Sequence, residues 1–185
     1  FIVMLAAPAL QGDKLLLMQK ELVERHSGVP ESEIQKGQEI FKGAYDIIMA
    51  SSVNDENLKK SIMTYFTSKY NADYAKSLTA QITSNWMYTF LKIDSTTALT
   101  KVKCPVLALN GSKDLQVPVT ANLEIIEKTS RKAGNKNVTV KELTDLNHLF
   151  QECKTGSPEE YEKIEQTFSP LALEEISSWM ILQTK

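Results

Sequence analysis

Hydrophobic positions along the chain follow two different periods. Residues 1–10 form a nearly continuous apolar run, which is typical of a strand buried on both faces of a parallel sheet. Residues 12–97 then carry apolar positions three and four apart, the period of amphipathic helices. From residue 102 onward, apolar runs of strand length alternate with helical stretches. This order predicts a doubly wound α/β sheet whose first strand is separated from the others by a block of helices.

The helical block carries recognisable start and stop signals. Asp13 is suited to cap a first helix that ends near Gly28, and Pro30 suits the first turn of a second helix. Asp55 is suited to cap a third helix. No strand pattern interrupts the block, so we predict a helical insertion between two strands. Further helical stretches are expected over residues 74–82 and 85–91.

The region after residue 102 alternates between strand and helix. Residues 105–109 and 138–143 have strand patterns, and between them Pro118 is suited to open a helix that Gly134 ends. The last helix is expected to begin at Ser169-Pro170. Its predicted inward positions are Leu173, Ile176, Trp179 and Met180.

Composition narrows the possible functions. Apolar residues make up 42% of the chain, charged residues 24%, and the net charge is −2, as in ordinary globular proteins. Lysines are interleaved with acidic residues, so nucleic-acid binding is not expected. The longest apolar run, residues 1–10, is too short to cross a bilayer, so we predict no membrane segment and no signal peptide within these residues. An export signal would have to precede Phe1, and the compartment stays open.

Two residues carry the chemistry that the pattern suggests. Asp114 follows the strand at 105–109 through a tight turn, and His148 follows the strand at 138–143. The carboxyl ends of parallel strands meet at one edge of a sheet, where active sites of open α/β folds lie. An acid and a histidine there suit the acid–base part of a serine-hydrolase triad. From the residues alone, Asp114 could be only a turn residue, and His148 could be a surface or helix-capping histidine.

Other chemistry-bearing residues have simpler interpretations. Asp145 is an alternative carboxylate, but its place three residues before His148 favours a role in stabilising the loop. His26 is expected to interact with the C-terminal end of a helix. Cys153 lies too far from any strand–helix elbow to be expected as a nucleophile. Glu159, Glu160, Glu162 and Glu165 are expected on a solvated face.

The two cysteines, Cys104 and Cys153, favour neither a metal site nor a disulfide. They have no CxxC spacing and no accompanying histidine cluster. Cys104 precedes its strand, whereas Cys153 follows the far end of a neighbouring one, so the separation exceeds bridging distance. We therefore expect no metal and no cofactor.

Several stretches resemble a known family. They are residues 1–8 with Gly12-Asp13, Trp86 with Phe90-Leu91 and Asp94, residues 105–117, and residues 146–151. Together they resemble the C-terminal half of the α/β-hydrolase fold, and within it the bacterial dienelactone-hydrolase and acyl-esterase-like branch. The Asn-Gly-x-x-Asp and Asn-His-Leu-Phe-Gln pieces are the most specific. The run Ala7-Pro8-Ala9-Leu10 departs from the family by replacing a glycine-bearing turn.

The resemblance implies a hydrolase of carboxylic esters with a small-molecule ester substrate. Asp114 and His148 would be the acid and base of its catalytic triad. The serine on its Gly-x-Ser-x-Gly elbow and the oxyanion-hole loop would lie upstream of Phe1, because the motif does not occur in these residues. Trp86 and Phe90 would contact the substrate.

The resemblance also implies a division of the chain. Residues 1–11 would be a core strand, residues 12–99 a helical cap insertion, and residues 100–185 the C-terminal part of the hydrolase core. Because the first residues have the pattern of a buried strand, we expect the chain to begin inside a domain. We therefore expect it to be inactive alone, and to dimerise or associate with the missing N-terminal half. Two alternatives remain: a catalytically inactive binding module of the same fold, and a serine peptidase.

Overall fold

The chain divides into two compact units. The computed structural model describes residues 1–184. One unit, here called the sheet unit, comprises Phe1–Leu10 and Asp94–Lys185. The other, here called the helical unit, comprises Gln11–Ile93.

The helical unit contains five helices and confirms their predicted starts in part: Pro30, for example, is the N-cap of the second helix and not a residue of its first turn. Asp55 Oδ1 accepts the backbone N–H of Leu58 at 2.9 Å, so Asp55 caps its helix as predicted. The prediction for Asp13 is wrong: Gln11 is the N-cap, and Asp13 lies inside the first turn. A carboxylate in the first turn still favours the positive end of the helix dipole. The helices are α1 (Gly12–His26), α2 (Glu31–Ala50), α3 (Glu56–Thr67), α4 (Ala72–Ile82) and α5 (Asn85–Lys92).

One apolar cluster holds the helical unit together. Ile48, Ile62 and Phe66 are completely buried in it. Helix α1 packs on α2 and helix α3 on α4. The Tyr65 hydroxyl donates a hydrogen bond to the Ile40 carbonyl at 3.0 Å, which ties α3 to α2.

The sheet unit is built on three parallel strands in the order β1–β2–β3. Leu5 of β1 pairs with Leu109 of β2, and Leu109 pairs with Lys141 of β3. The three carboxyl ends therefore lie at one edge of the sheet. The elements are β1 (Ile2–Leu5), α6 (Thr96–Leu99), β2 (Val106–Gly111), α7 (Val119–Lys132), β3 (Val138–Leu143), a 3₁₀ helix (Pro158–Lys163) and α8 (Pro170–Gln183).

Helices cover both faces of this sheet. Successive side chains of a strand point to opposite faces, and β2 shows the result. Leu107 and Leu109 pack in a cluster that includes Ala172 of α8. Val106 and Ala108 pack in a second cluster that includes Ile126 of α7. The predicted mixed α/β architecture, a parallel sheet flanked by helices, is confirmed.

Two sequence expectations at the surface of the sheet unit are wrong. Strand β1 is not buried on both faces: Ile2 is 39% and Leu5 42% exposed, and β2 is its one partner among the described residues. Leu173, expected to face inward, is 55% exposed, whereas Ala172 of the same helix is buried. The apolar residues of α8 do not form a single stripe along the helix, so their period could not identify the inward face.

Within residues 1–184, no helix combines the length and the apolar character needed to cross a membrane.

Candidate active site

Asp114 and His148 meet at the carboxyl edge of the sheet. The Oδ2 atom of Asp114 lies 2.9 Å from Nδ1 of His148. The side chain of Asp114 is completely buried, whereas that of His148 keeps 27% of its surface exposed. The residues are brought together because the adjacent parallel strands β2 and β3 end side by side, and each is followed by a turn that carries one of them.

The turn after β2 is held by the Asp114 carboxylate itself. Its Oδ1 atom accepts the backbone N–H groups of Gln116 and Val117, both at 2.8 Å. The Nδ2 group of Asn110 donates to the Val117 carbonyl at 2.9 Å. One carboxylate oxygen thus fixes the turn while the other is directed to the imidazole, so Asp114 is both the turn residue and the histidine partner.

Hydrogen bonds join this turn to the loop that carries His148. The Ser112 N–H donates to the Leu143 carbonyl at 2.8 Å, and the Lys113 N–H donates to the Leu146 carbonyl at 3.0 Å. The Asp145 N–H donates to the Ser112 hydroxyl at 2.9 Å. Because the two turns share these bonds, the separation between Asp114 and His148 is determined by the backbone.

The pair has a defined chemical capability. When Nδ1 of His148 carries a proton, it donates that proton to Asp114, and Nε2 is then the ring nitrogen that can accept a proton. The carboxylate selects this tautomer and stabilises the imidazolium that forms when Nε2 is protonated. Partial exposure of the ring is compatible with proton exchange with a second molecule or group.

Asp145 is placed differently from Asp114. Its side chain is 62% exposed, and its Oδ1 lies 2.7 Å from the Lys113 ammonium. The hydrogen bond from Lys113 to Asp145 is the main reason why the pKa of Lys113 is raised. Asp145 therefore pairs with Lys113 at the surface of the loop, its stabilising role stays a prediction, and Asp114 is the acid that contacts His148.

Cys153 lies next to the same loop and is a poor nucleophile. Burial raises the pKa of its thiol, which reduces the thiolate fraction at neutral pH. Its Sγ atom is 3.5 Å from the Asp145 carbonyl oxygen. Cys104 and Cys153 are both free thiols.

One of the four glutamates expected on a solvated face has a structural contact. Glu160 Oε2 accepts the backbone N–H groups of Thr155 and Gly156, each at 3.0 Å. The carboxylate closes the loop before the 3₁₀ helix. The sequence could not show this because the N–H groups concerned lie in an irregular segment.

Tyr161 is a neighbour of the Asp114 turn that the sequence did not indicate. Its hydroxyl accepts a hydrogen bond from the Gln116 Nε2 group at 3.0 Å. Burial raises the pKa of Tyr161, and the negative charge of Asp114 acts in the same direction. The phenol is therefore neutral at physiological pH.

Trp86 and Phe90 belong to helix α5 of the helical unit. Their rings are stacked, with centroids 5.1 Å apart and planes 6° from parallel. Trp86 is 68% exposed. The pair presents a flat aromatic surface, and its role in substrate binding stays a prediction. His26, also in this unit, lies exposed in the last turn of α1, where a structural role was expected.

Among residues 1–184, no group of three or more His, Cys, Asp or Glu side chains is arranged to hold a metal ion.

Comparisons with known proteins add no further assignment. No family model, no curated protein and no solved structure matches the chain. The contact between Asp114 and His148 therefore carries the functional argument.

Proposed function

We propose that Asp114 and His148 are the acid and base of the catalytic triad of a serine α/β-hydrolase that cleaves carboxylic esters. The observation that carries the proposal is the 2.9 Å contact between a buried carboxylate and a partly exposed imidazole at the carboxyl edge of a parallel sheet. Parallel sheets bind their substrates at that edge. A carboxylate that orients an imidazole there has the geometry that triads require.

The proposed mechanism gives each residue a separate task. His148 Nε2 removes the proton from a serine hydroxyl as the serine oxygen attacks the ester carbonyl carbon. The same nitrogen then protonates the leaving alkoxide, which departs as the alcohol and leaves an acyl-enzyme. In the second half, His148 activates a water molecule that releases the acid. Asp114 accepts the Nδ1–H hydrogen bond throughout and stabilises the imidazolium.

The serine nucleophile and the oxyanion hole are proposed to come from outside residues 1–185. The elbow motif Gly-x-Ser-x-Gly does not occur within them. The family resemblance further implies that the helical unit is a cap in such a hydrolase. In that role, Trp86 and Phe90 would contact the acyl or alcohol part of the ester through their stacked rings.

The test uses the full-length protein and p-nitrophenyl acetate. We expect His148→Ala and Asp114→Asn each to lower kcat on the order of 10⁴-fold. The matched control is Asp145→Asn, which removes an exposed carboxylate from the same loop and should change kcat by less than about twofold. Circular dichroism of each variant checks that the fold is retained.

Two outcomes would contradict the proposal. One is retained ester turnover in folded His148→Ala. The other is a wild-type protein that neither hydrolyses esters nor reacts with a fluorophosphonate probe, which would indicate an inactive binding module. Cleavage of a p-nitroanilide peptide at a higher kcat/KM than any ester would replace esterase by peptidase while keeping the same residues.

A further inference from the structure

We propose that Asn147 and Gln151 are positioning residues that hold the His148 imidazole against Asp114. The inference depends on the proposed hydrolase function for its consequence in catalysis. Neither residue contacts the imidazole through a side-chain hydrogen bond in the described part of the chain. The Asn147 side chain binds the backbone that follows His148, and the Gln151 side chain binds the side chain of Asn147.

The loop that carries His148 has a backbone conformation that its residues do not favour by themselves. It contains neither helix nor strand around the histidine. Asp145 and Phe150, on either side of His148, have φ angles of 61° and 59°. Left-handed φ is unfavourable for residues other than glycine, so such a loop persists only where surrounding contacts enforce it.

Asn147 supplies many of those contacts. Its Oδ1 atom accepts the backbone N–H groups of Leu149 at 2.9 Å and of Gln151 at 3.0 Å. Its own backbone N–H donates to the Gln151 carbonyl, and its carbonyl accepts the Phe150 N–H, both at 3.0 Å. One residue thus bonds to three of the four residues that follow it, and His148 lies inside the turn that results.

Gln151 completes the arrangement and anchors it. Asn147 Nδ2 donates to Gln151 Oε1 at 2.9 Å, and Gln151 Nε2 donates to the Gln166 carbonyl at 3.0 Å. Gln166 lies in the segment just before helix α8. The two carboxamides therefore connect the His148 turn to the segment before α8, where the Ser169 N–H also donates to the Phe150 carbonyl at 2.7 Å.

Burial makes these contacts difficult to replace. Asn147 is completely buried and Gln151 is 7% exposed. Water cannot easily satisfy N–H groups that lose a buried partner. We therefore expect the turn to relax in a variant that lacks the Asn147 carboxamide, and a displacement of about 1 Å at a reacting group can lower a rate on the order of 10²-fold.

The experiment compares Asn147→Ala and Gln151→Met with the wild-type full-length protein. We expect each to lower kcat, Asn147→Ala on the order of 10²-fold, with KM changed by less than about twofold because substrate contacts are untouched. The second measurement is the proton NMR signal of His148 Nδ1–H, assigned by its loss in His148→Gln. A downfield signal is expected in the wild type and a broadened or absent one in Asn147→Ala.

Asn122→Ala is the matched control. Asn122 is 1% exposed, and its Oδ1 accepts two backbone N–H groups, those of Ala9 and Leu10, at 2.7 and 3.0 Å. Its Nδ2 donates to the Pro118 carbonyl at 2.8 Å. It therefore matches Asn147 in burial and in the number of side-chain bonds, but it lies outside the His148 turn. We expect it to keep the Nδ1–H signal.

The outcomes separate the two proposals. An unchanged Nδ1–H signal and kcat in folded Asn147→Ala would overturn the positioning role, whereas the His148→Ala result would still decide the hydrolase function. Loss of the signal in a protein without ester activity would support the positioning role and reject the function. An equal loss of kcat in Asn122→Ala, with the signal intact in both variants, would overturn the positioning role in favour of general destabilisation.

Discussion

Gly111 and Leu146 are in direct backbone contact. A Cβ atom on Gly111 would lie 2.2 Å from the carbonyl oxygen of Leu146 and 2.7 Å from that of Asn147. Real Cβ atoms do not approach a carbonyl oxygen so closely, so glycine is required at this position by space. The end of β2 and the start of the His148 loop can come together because residue 111 has no side chain.

We predict that Gly111→Ala separates Asp114 from His148. The new methyl group must push the backbone of the His148 loop away from β2. Overpacking of this kind lowers the free energy of unfolding by about 1–3 kcal/mol, and we expect kcat for p-nitrophenyl acetate to fall on the order of 10²-fold. Denaturant unfolding and steady-state kinetics measure the two effects.

Gly134→Ala is the control for that substitution. Gly134 has a φ angle of 90°, and a Cβ atom there would meet nothing within 4 Å. Alanine should lower stability by about 1–2 kcal/mol through its left-handed backbone, without moving the His148 loop. If both variants lost the same fraction of kcat, the effect of Gly111→Ala would be general destabilisation.

The cap of helix α3 predicts a pH dependence of stability. The hydrogen bond from the Leu58 N–H is the main cause that lowers the pKa of Asp55. A folded-state pKa below the unfolded value means that the ionised carboxylate stabilises the fold above the unfolded pKa of about 3.9. This contribution is lost as the pH falls through the folded-state value.

Asp55→Asn measures that contribution. Asparagine can keep the cap hydrogen bond but cannot be ionised. We expect wild type to be more stable than Asp55→Asn at neutral pH and the difference to shrink as the pH falls below the unfolded-state pKa of about 3.9. A difference that stays constant over this range in urea unfolding would mean that the charge of Asp55 does not contribute.

The two tryptophans allow the units to be followed separately. The chain has two tryptophans. Trp86 is stacked on Phe90 in the helical unit. Trp179 contacts Phe1 edge to face in the sheet unit, with ring centroids 5.7 Å apart. Phe66→Ala should lower the stability of the helical unit by about 3–5 kcal/mol, since Phe66 is completely buried.

We therefore expect Phe66→Ala to shift the unfolding transition reported by Trp86 in a Trp179→Phe background. The transition reported by Trp179 in a Trp86→Phe background should shift less. Identical shifts for both probes would show that the two units unfold as one cooperative body.

From the outer edge of β1 we predict that the chain associates with other copies of itself. Ile2 and Leu5 are 39% and 42% exposed on strand β1, which pairs only with β2 among residues 1–184. Unpaired strand edges with apolar side chains recruit other chains. We expect the 185-residue chain to self-associate in sedimentation velocity and Leu5→Lys to reduce that association. Val53→Lys, at a 58% exposed valine of the helical unit, is the control and should leave it unchanged.

The order of the elements could be predicted from the sequence because it depends on local patterns. Each of these patterns is contained in a short window of sequence. Examples are the change from helical period to strand runs after residue 102, the cap at Asp55 and the turn residues around Asp114. The predicted cap of α1 was wrong because Gln11 and Asp13 both lie near the helix start. Which of the two residues takes the non-helical backbone of an N-cap depends on contacts with neighbouring segments. The inward face of helix α8 was only partly predicted because its apolar residues do not form a single stripe and so give a weak periodic signal.

The candidate site was predictable as a pair of residue types, but its geometry was not. The sequence alone determined that an acid and a histidine follow two strands of a parallel sheet. The sequence also favoured Asp114 over Asp145 as the acid. Only the tertiary structure supplied the 2.9 Å contact between Asp114 and His148 and the support that Gly111, Asn147 and Gln151 give to it. The physical reason is that these choices depend on hydrogen bonds and close packing between backbone segments far apart in the chain, which local propensity does not encode.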